Sequence, residues 1–146
     1  MKRLFRGSLG TAFLILCGLS AAAQTEISID TVGYEYFTYQ EGDTTYLMKK
    51  YFVCFLKAGP NRDQDAEEAQ RIQTAHLAHL ESLAKDGKIC MVGPYDDGGE
   101  IRGMTIFSTK TQAEAEALAM ADPAVKAGRL RVEIHPWWAA AGSKLF

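Results

Sequence analysis

Two histidines three residues apart are the first candidates for chemistry in this sequence. His76 and His79 lie in the segment TAHLAHLESLAKDGK, which has the composition of a helix. On a helical wheel of about 100° per residue, His76 is at the centre of an apolar stripe and His79 is about 60° away, at its edge. The residues within about 40° of His76 are Ala69, Ile72, Leu80 and Leu83. A polar ring at that position needs a hydrogen-bond partner or must face a cavity.

Asp122, in the segment ADPAVKAG, is a candidate partner for His76. A carboxylate bonded to one ring nitrogen would fix the tautomer of His76 and raise its basicity, which suits general acid–base catalysis. Each residue also has a purely structural explanation. His76 could be a core histidine with satisfied hydrogen bonds, and Asp122 could be the N-cap of a short helix that begins at Pro123. One carboxylate could serve both roles through different oxygens, so His76 and Asp122 are the candidate catalytic residues.

Three further residues are candidates for substrate binding: His79, Tyr95 and Lys126. Tyr95 lies in the glycine-rich segment GPYDDGGE, which joins two predicted strands and is a hairpin turn rather than a phosphate-binding loop. Lys126 and Arg129 could attract an anionic substrate, although solvation of surface cations explains them more simply.

The histidine spacing also suggests a metal site as an alternative. His76 and His79 are one helical turn apart, and His135, Asp122 or a cysteine could complete a ligand set. A His-x-x-His pair alone is weak evidence for a metal, because His79 could be a solvated edge residue. The sequence therefore predicts no metal and no other cofactor.

The overall composition indicates one globular domain. The chain has 146 residues, of which 47% are hydrophobic and 23% are charged, as is typical of a folded protein. The net charge is −2, so the overall charge does not point to nucleic acid or to an anionic membrane as a partner.

Residues 1–23 have the pattern of a secretory signal peptide. Basic residues precede an apolar run from Leu9 to Leu19, and small residues follow up to Ala23. The run is short for a membrane span. We expect an exported protein, periplasmic or secreted, that begins at Gln24 and has no membrane contact after cleavage. An alternative, in which Cys17 is a lipoprotein acceptor, is a poor fit because Leu16 stands where a small residue is expected.

The remainder divides into three parts by pattern. Residues 24–48 form a polar, tyrosine-rich extension in which YEYFTYQ predicts an added strand and EGD a turn. Residues 49–138 form the main domain, and residues 139–146 form a C-terminal tail. The pattern of the main domain predicts these elements in chain order: strand YFVCFLK, a helix over Glu67–Asp86, strands KICMVGP and IRGMTIFST, a helix from Thr111 and strand RLRVEIHPW.

This βαββαβ order predicts an α+β fold of the ferredoxin-like type. Two helices would cover one face of a four-stranded antiparallel sheet. The strands YFVCFL and GMTIF carry apolar residues on both faces, so the uncovered face would expose a large apolar patch. A second subunit is the simplest cover, and we expect a homodimer.

Cys54 and Cys90 are predicted to be free and buried. Both lie in apolar strand-like runs, where a cysteine packs as a small hydrophobe. In the ferredoxin-like strand order 4-1-3-2, the strand of Ile106 separates their two strands. Next-nearest strands are about twice 4.8 Å apart, beyond the roughly 7 Å Cα separation of a disulfide.

Several of these segments together resemble the YCII-related family. The resemblance runs from Tyr51 to Trp138, and its most specific parts are the His-Leu of the first helix, GKICMVGPYDDGG, ADPAVKAG and EIHPW. It implies a dimeric α/β barrel of ferredoxin-like subunits, with a His–Asp pair near the dimer interface. His76 and Asp122 match that pair, whereas His79 matches a variable position.

The resemblance also implies a small organic substrate. One branch of the family is a dehydrochlorinase of a chlorinated hydroxyquinol. We expect a cofactor-independent lyase or isomerase, and the alternative is a non-catalytic small-molecule-binding or structural dimer. The signal peptide and the extension before Tyr51 depart from the usual member and argue against a cytoplasmic catabolic role.

Overall fold

The computed structural model describes residues 26–145. The predicted signal peptide, its cleavage site at Gln24 and Cys17 lie outside the described residues. The described elements, in chain order, are β1 (Ser28–Ile29), β2 (Glu35–Glu41), β3 (Thr44–Ala58), α1 (Ala66–Lys85), β4 (Ile89–Pro94), β5 (Ile101–Phe107), α2 (Gln112–Met120), α3 (Pro123–Lys126) and β6 (Leu130–Ala140).

The strands form one antiparallel sheet around β3. Its neighbours run in the order β1-β2-β3-β5-β4, and β6 pairs with the other edge of β3. The order β6-β3-β5-β4 is the predicted 4-1-3-2 order, and with the helices after β3 and β5 it confirms the ferredoxin-like α+β fold. The prediction of four strands was wrong, because the sheet formed by residues 26–145 has six strands.

The additional strands come from the extension. β2 pairs with residues 44–49, the first half of β3, and β1 pairs with β2. The EGD turn between β2 and β3 is confirmed, with Gly42 at φ +56°, a conformation that favours glycine. The strand β3 continues without a break from the extension into the domain, and β6 continues into residues 139–140 of the predicted tail.

Lys49 fixes this hairpin to the rest of the sheet. Its Nζ atom lies 3.9 Å from the ring centre of Tyr34, 5.3 Å from that of Tyr51, and 2.9 Å from Ser108 Oγ. Aromatic rings attract a cation through their negative faces, so the lysine joins the extension to β5's C-terminal end. Burial lowers the pKa of Lys49.

Side-chain caps set the starts of the helices. Asp65 accepts a hydrogen bond from the Glu68 amide at 2.8 Å, and Thr111 accepts one from Glu114 at 3.1 Å. Gly87, at φ +69°, follows the end of α1. Of the helices within residues 26–145, none combines the length and the apolar character that crossing a bilayer requires.

The core lies between the helices and one face of the sheet. That face carries Phe52, Cys54 and Leu56 of β3, which pack with Leu83 of α1 and Ala115 of α2. The alternate residues of the same strand, including Val53 and Phe55, face the other way and are half-buried. The sheet therefore has one covered face and one open face.

The two cysteines of residues 26–145 are free, as predicted. The strand β5 separates their strands. Cys54 is buried, but the prediction that Cys90 is buried was wrong, because Cys90 is exposed. The register of β4 shifts between Ile89 and Met91. Cys90 is therefore the extra residue of a β-bulge on an edge strand, and its side chain does not pack in the core.

Candidate functional site

A cavity of about 580 Å³ lies between α1 and the ends of β4 and β5. Its helical wall includes His76, Leu77 and Leu80, and Arg102 and Gly103 of β5 lie across from it. Gly103 pairs with Leu56 on the face covered by the helices. A Cβ atom on Gly103 would lie 2.9 Å from the Gly93 carbonyl oxygen, so glycine permits the close approach of β4 to β5 at this wall. The other lining residues are Leu56, Arg62, Gln73, Glu81, Ala84, Val92, Gly93, Pro94, Ala124, Arg129 and Leu130.

His76 and Asp122 are in direct contact at the back of this cavity. His76 Nδ1 lies 2.6 Å from Asp122 Oδ2, which is within hydrogen-bond distance. His76 is 8% exposed and Asp122 is 2% exposed. Because a carboxylate oxygen accepts, Nδ1 is the donor and carries the ring proton.

Asp122 is also a helix cap. Its Oδ1 atom accepts a hydrogen bond from the Ala124 amide at 2.8 Å, at the start of α3. The carboxylate thus forms both predicted bonds, one through each oxygen. The position of Asp122 Oδ2, and with it the orientation of the imidazole, is fixed by the fold of α3.

His76 lines the cavity, and its second ring nitrogen has no hydrogen-bond partner among the described residues. Within residues 26–145, His76 forms its one side-chain hydrogen bond through Nδ1, and Nε2 is not among the buried atoms that lack a partner. Nε2 is therefore accessible, and with the proton on Nδ1 it has a free lone pair. Such a nitrogen can accept a proton from a molecule in the cavity.

A close contact between two glycines lies beside Arg62 and Arg129 of the cavity wall. Gly59 and Gly128 are so close that a Cβ atom on Gly59 would lie 2.1 Å from the Gly128 carbonyl oxygen. Arg129's carbonyl oxygen accepts hydrogen bonds from the Gly59 amide at 2.8 Å and from Arg62 Nη1 at 3.0 Å. Arg129 Nη1 in turn donates to Gln64 Oε1 at 2.6 Å.

The structure does not bring His79, Tyr95 and Lys126 to this cavity. The His79 ring contacts the Leu118 carbonyl oxygen through Nε2 at 3.0 Å, and so it points towards α2. Tyr95 and Lys126 are exposed and are absent from the cavity lining. Substrate binding by these three residues stays a prediction.

The candidate metal ligands are separated. His135 lies on the open face of the sheet, where Nε2 is 2.8 Å from Glu133 Oε1, and His79 is bonded to a backbone carbonyl. In the part of the chain that the structure describes, no group of three or more His, Cys, Asp or Glu side chains is placed to hold a metal ion.

Sequence reasoning did not identify Arg62 and Arg102 as cavity residues. Arg62 ends the segment YFVCFLKAGPNR, which carries part of the family resemblance, but nothing in its local pattern distinguishes it from a solvated loop arginine. Arg102 follows the glycine-rich turn in an alternating strand. Both reach the cavity through tertiary packing, which no local pattern of the sequence indicates.

Cys54 lies in the core near the site, and it is not a candidate nucleophile. Burial raises the pKa of the Cys54 thiol to about 12, and the negative charge of Asp122 contributes to the increase. The thiolate is the reactive form of cysteine, so Cys54 acts as a core residue.

Comparison with known proteins assigns the family. The model of the YCII-related domain matches residues 51–138, more than half of the chain. The chain belongs to the YCII-related family. This confirms the resemblance seen over Tyr51 to Trp138.

A search of solved structures finds a protein similar to this YCII-related chain. It is the 5-chloro-2-hydroxyhydroquinone dehydrochlorinase of Burkholderia phenoliruptrix AC1100, in complex with 2,5-dihydroxybenzoquinone. The sequence identity is 25%, the alignment covers 60% of this chain and 92% of that chain, and the TM-score is 0.46. No curated protein matches the chain.

Proposed function

We propose that this protein is a cofactor-independent lyase or isomerase that acts on a small organic molecule bound in the cavity. The observation that carries the proposal is the orientation of His76. Nδ1 is bound to a buried carboxylate, and Nε2 is accessible on a residue that lines the cavity. This is the arrangement of a general base whose tautomer is fixed by a second residue.

The proposed reaction begins with proton transfer. His76 Nε2 takes a proton from a carbon next to a carbonyl group, the C–H electron pair forms a carbon–carbon double bond, and the carbonyl oxygen takes the negative charge. In an isomerase, the imidazolium returns the proton to a different carbon. In a lyase, a leaving group departs with its bonding pair from the carbon β to the carbonyl. Asp122 stabilises the imidazolium while it holds the proton.

The test uses deuterium exchange and does not require the natural substrate. A panel of small enolisable ketones and keto acids is incubated in D₂O with the wild type, with His76→Gln and with buffer alone. We expect the wild type to accelerate exchange or turnover of at least one compound, and His76→Gln to lose that acceleration by about 10²-fold or more. Saturable binding without His76-dependent exchange or turnover across the panel would instead support a binding protein.

We propose that the protein acts as a homodimer through the open face of the sheet. Val53, Phe55 and Met104 on that face are half-buried in the single chain, and Trp137 is 44% exposed. A second subunit would bury these side chains and close a dimeric α/β barrel. Sedimentation at micromolar concentration tests this, and a stable monomer would contradict it.

We propose export on the basis of the first 23 residues. Their order of basic, apolar and small residues is typical of a secretory signal peptide. Cleavage before Gln24 would give a periplasmic or secreted protein. Mass spectrometry of the protein from the exporting cell tests this, and an intact Met1 or a lipid on Cys17 would contradict it.

A further inference from the structure

The cavity that contains His76 has an excess of positive charge. Among the described residues, three arginines line it, namely Arg62, Arg102 and Arg129, and Glu81 is the acidic residue of that lining. Glu81 is paired with Lys85, with Nζ and Oε1 2.7 Å apart. The Glu81 carboxylate is therefore paired with Lys85 and does not neutralise the arginines.

The arginines of the cavity differ from the other described arginines. Within residues 26–145, the arginines outside the cavity are Arg71 and Arg131, and each forms an ion pair with a glutamate, Glu68 and Glu100 respectively. The three cavity arginines form no ion pair among the described residues and donate to neutral oxygens. Arg129 Nη1 donates to a glutamine side chain, and Arg102 Nη1 lies 3.4 Å from the Gly98 carbonyl.

These neutral contacts position the guanidinium groups and leave most of their donors free. A guanidinium has five N–H donors, and the structure shows one hydrogen bond from each of Arg62 and Arg129 within the described residues. Arg62 Nη1 donates to the Arg129 carbonyl oxygen beside the close contact of Gly59 with Gly128, so the two arginines are neighbours in the cavity wall. The free, planar donor pairs match the two oxygens of a carboxylate.

The rest of the lining suits an apolar molecule. Leu56, Leu80 and Leu130 line the cavity, and Leu77 and Val92 are 55% and 44% exposed beside it. A ligand that fills such a site has an apolar body that contacts the leucines and a polar group that meets the fixed donors.

We propose that the ligand of this cavity is a small organic carboxylate with an apolar body, and that Arg129, which is less exposed than Arg62 and Arg102, is the principal residue that binds its carboxylate. Arg62 and Arg102 contribute further positive charge. The inference rests on the proposed function, since it names the substrate class of the same site. It adds that the arginines place a carbon of an organic acid beside His76 Nε2.

Arginine also suits the proposed chemistry. Negative charge develops on an oxygen when His76 takes a proton from carbon. A guanidinium in the cavity stabilises that charge without moving. A neutral analogue lacks the carboxylate that the arginines bind and would therefore bind more weakly.

The experiment measures binding of matched pairs of ligands by calorimetry or by NMR. The pairs are benzoate with benzamide, and 2-hydroxybenzoate with 2-hydroxybenzamide. We expect the wild type to bind at least one carboxylate about tenfold or more tightly than its amide, which corresponds to about 1.4 kcal/mol. A preference for the amide, or equal binding in both pairs, would overturn the proposal.

Substitutions assign the preference to the arginines. Arg129→Gln is expected to remove it, and Arg129→Lys to retain part of it, because lysine keeps the charge but not the planar donor pair. Arg71→Gln is the matched control, because Arg71 is an ion-paired surface arginine outside the cavity. If Arg129→Gln, folded by circular dichroism, keeps the full carboxylate preference, the assignment to Arg129 is wrong.

A further binding measurement distinguishes two classes of anionic ligand, carboxylates and phenolates. 2,4-Dinitrophenolate carries its charge on a ring oxygen and not on a carboxylate. Tighter binding of this phenolate than of benzoate would overturn the carboxylate assignment, whereas the reverse order supports it.

The two proposals fail in different ways. A carboxylate preference that depends on Arg129, with no exchange or turnover that depends on His76, would support the binding site and overturn the catalytic role. Exchange that depends on His76 but occurs with neutral ketones as readily as with keto acids would support the catalytic role and overturn the carboxylate site.

Discussion

The imidazole of His76 and the carboxylate of Asp122, 46 positions apart in sequence, meet with 2.6 Å between Nδ1 and Oδ2. The same carboxylate caps α3 by accepting the Ala124 amide at 2.8 Å. The cap determines which oxygen is available to His76. The local fold of ADPAVKAG therefore controls the proton position on a ring in another helix.

This relationship predicts the effect of Asp122→Asn. The Ala124 amide is a donor, so it favours the orientation in which the Asn oxygen stays on α3 and the Asn amino group faces His76 Nδ1. His76 Nδ1 must then accept a hydrogen bond from the Asn amino group, and the ring proton moves to Nε2. The ring can no longer take a proton from a ligand, and we expect any His76-dependent rate to fall by about 10²-fold or more.

The ¹⁵N chemical shifts of the His76 ring measure this change directly. At a pH where the ring is neutral, Nε2 of the wild type should have the shift of an unprotonated nitrogen and Nε2 of Asp122→Asn that of a protonated one. Asp122→Ala provides a comparison that loses the cap as well. If the tautomer is the same in the wild type and in folded Asp122→Asn, Asp122 does not control the ring.

The second prediction concerns the close contact of Gly59 with Gly128. A methyl group on Gly59 would lie 2.1 Å from the Gly128 carbonyl oxygen and 2.7 Å from the Arg129 carbonyl carbon. The backbone must separate to admit it, and we expect Gly59→Ala to lower the free energy of unfolding by about 1–3 kcal/mol.

Urea unfolding of Gly59→Ala and Gly93→Ala tests this contact. Gly93 is the control, because a Cβ atom there would meet nothing within 4 Å. The separation of residues 59 and 128 should also displace the Arg62 and Arg129 side chains, so carboxylate binding should weaken more in Gly59→Ala than the loss of stability explains. If Gly59→Ala and Gly93→Ala have the same free energy of unfolding, the backbone accommodates the added methyl group at residue 59 without a loss of stability.

The sequence predicted the parts of the site that depend on local pattern. The helical period placed His76 on the buried face of α1, and the Asp-Pro pair indicated a cap at Asp122. Both are consequences of a few neighbouring residues. The cavity could not be predicted in this way, because it arises where Gly103, Arg129 and α1 meet, and these are distant in sequence.

The errors in the predicted fold also arise because a local sequence pattern does not contain tertiary structure. An apolar run predicts that Cys90 is buried, but the bulge between Ile89 and Met91 changes the alternation that this inference assumes. Residues 44–58 form one continuous strand, and their sequence gives no indication that residues 44–49 pair with β2 and residues 52–57 with β5. Pairing partners are a tertiary property, and one strand's pattern does not contain them.

The third prediction is a difference in reactivity between the cysteines of the described chain. Cys54 is buried and the pKa of its thiol is raised to about 12, whereas Cys90 is exposed. In protein without residues 1–23, we expect iodoacetamide at pH 8 to modify Cys90 at least about tenfold faster than Cys54, because alkylation requires an accessible thiolate. Mass spectrometry of tryptic peptides over time measures both rates, and denatured protein provides the control in which both react. Equal native rates would contradict the burial of Cys54.

The final prediction concerns acid stability through Glu133. A hydrogen bond from Lys57, together with the contact to His135, lowers the pKa of Glu133 from 4.5 to about 2. Because the folded-state pKa is the lower one, the contribution of Glu133 to stability is present above pH 4.5 and is lost as the pH falls towards 2. In the single chain, the carboxylate is partly exposed on the open face of the sheet, where screening by solvent and salt keeps the contribution modest.

Glu133→Gln should therefore flatten the pH dependence of stability in that window. We expect the free energy of unfolding of the wild type to fall more steeply between pH 4.5 and 2 than that of the variant. Urea titrations at several pH values in low salt measure both curves. Glu116→Gln is the control, because the Glu116 carboxylate accepts a hydrogen bond from the neutral Gln112 side chain and not from a cation. Wild-type and Glu133→Gln curves that run parallel down to pH 2 would show that the contact with Lys57 does not persist in solution.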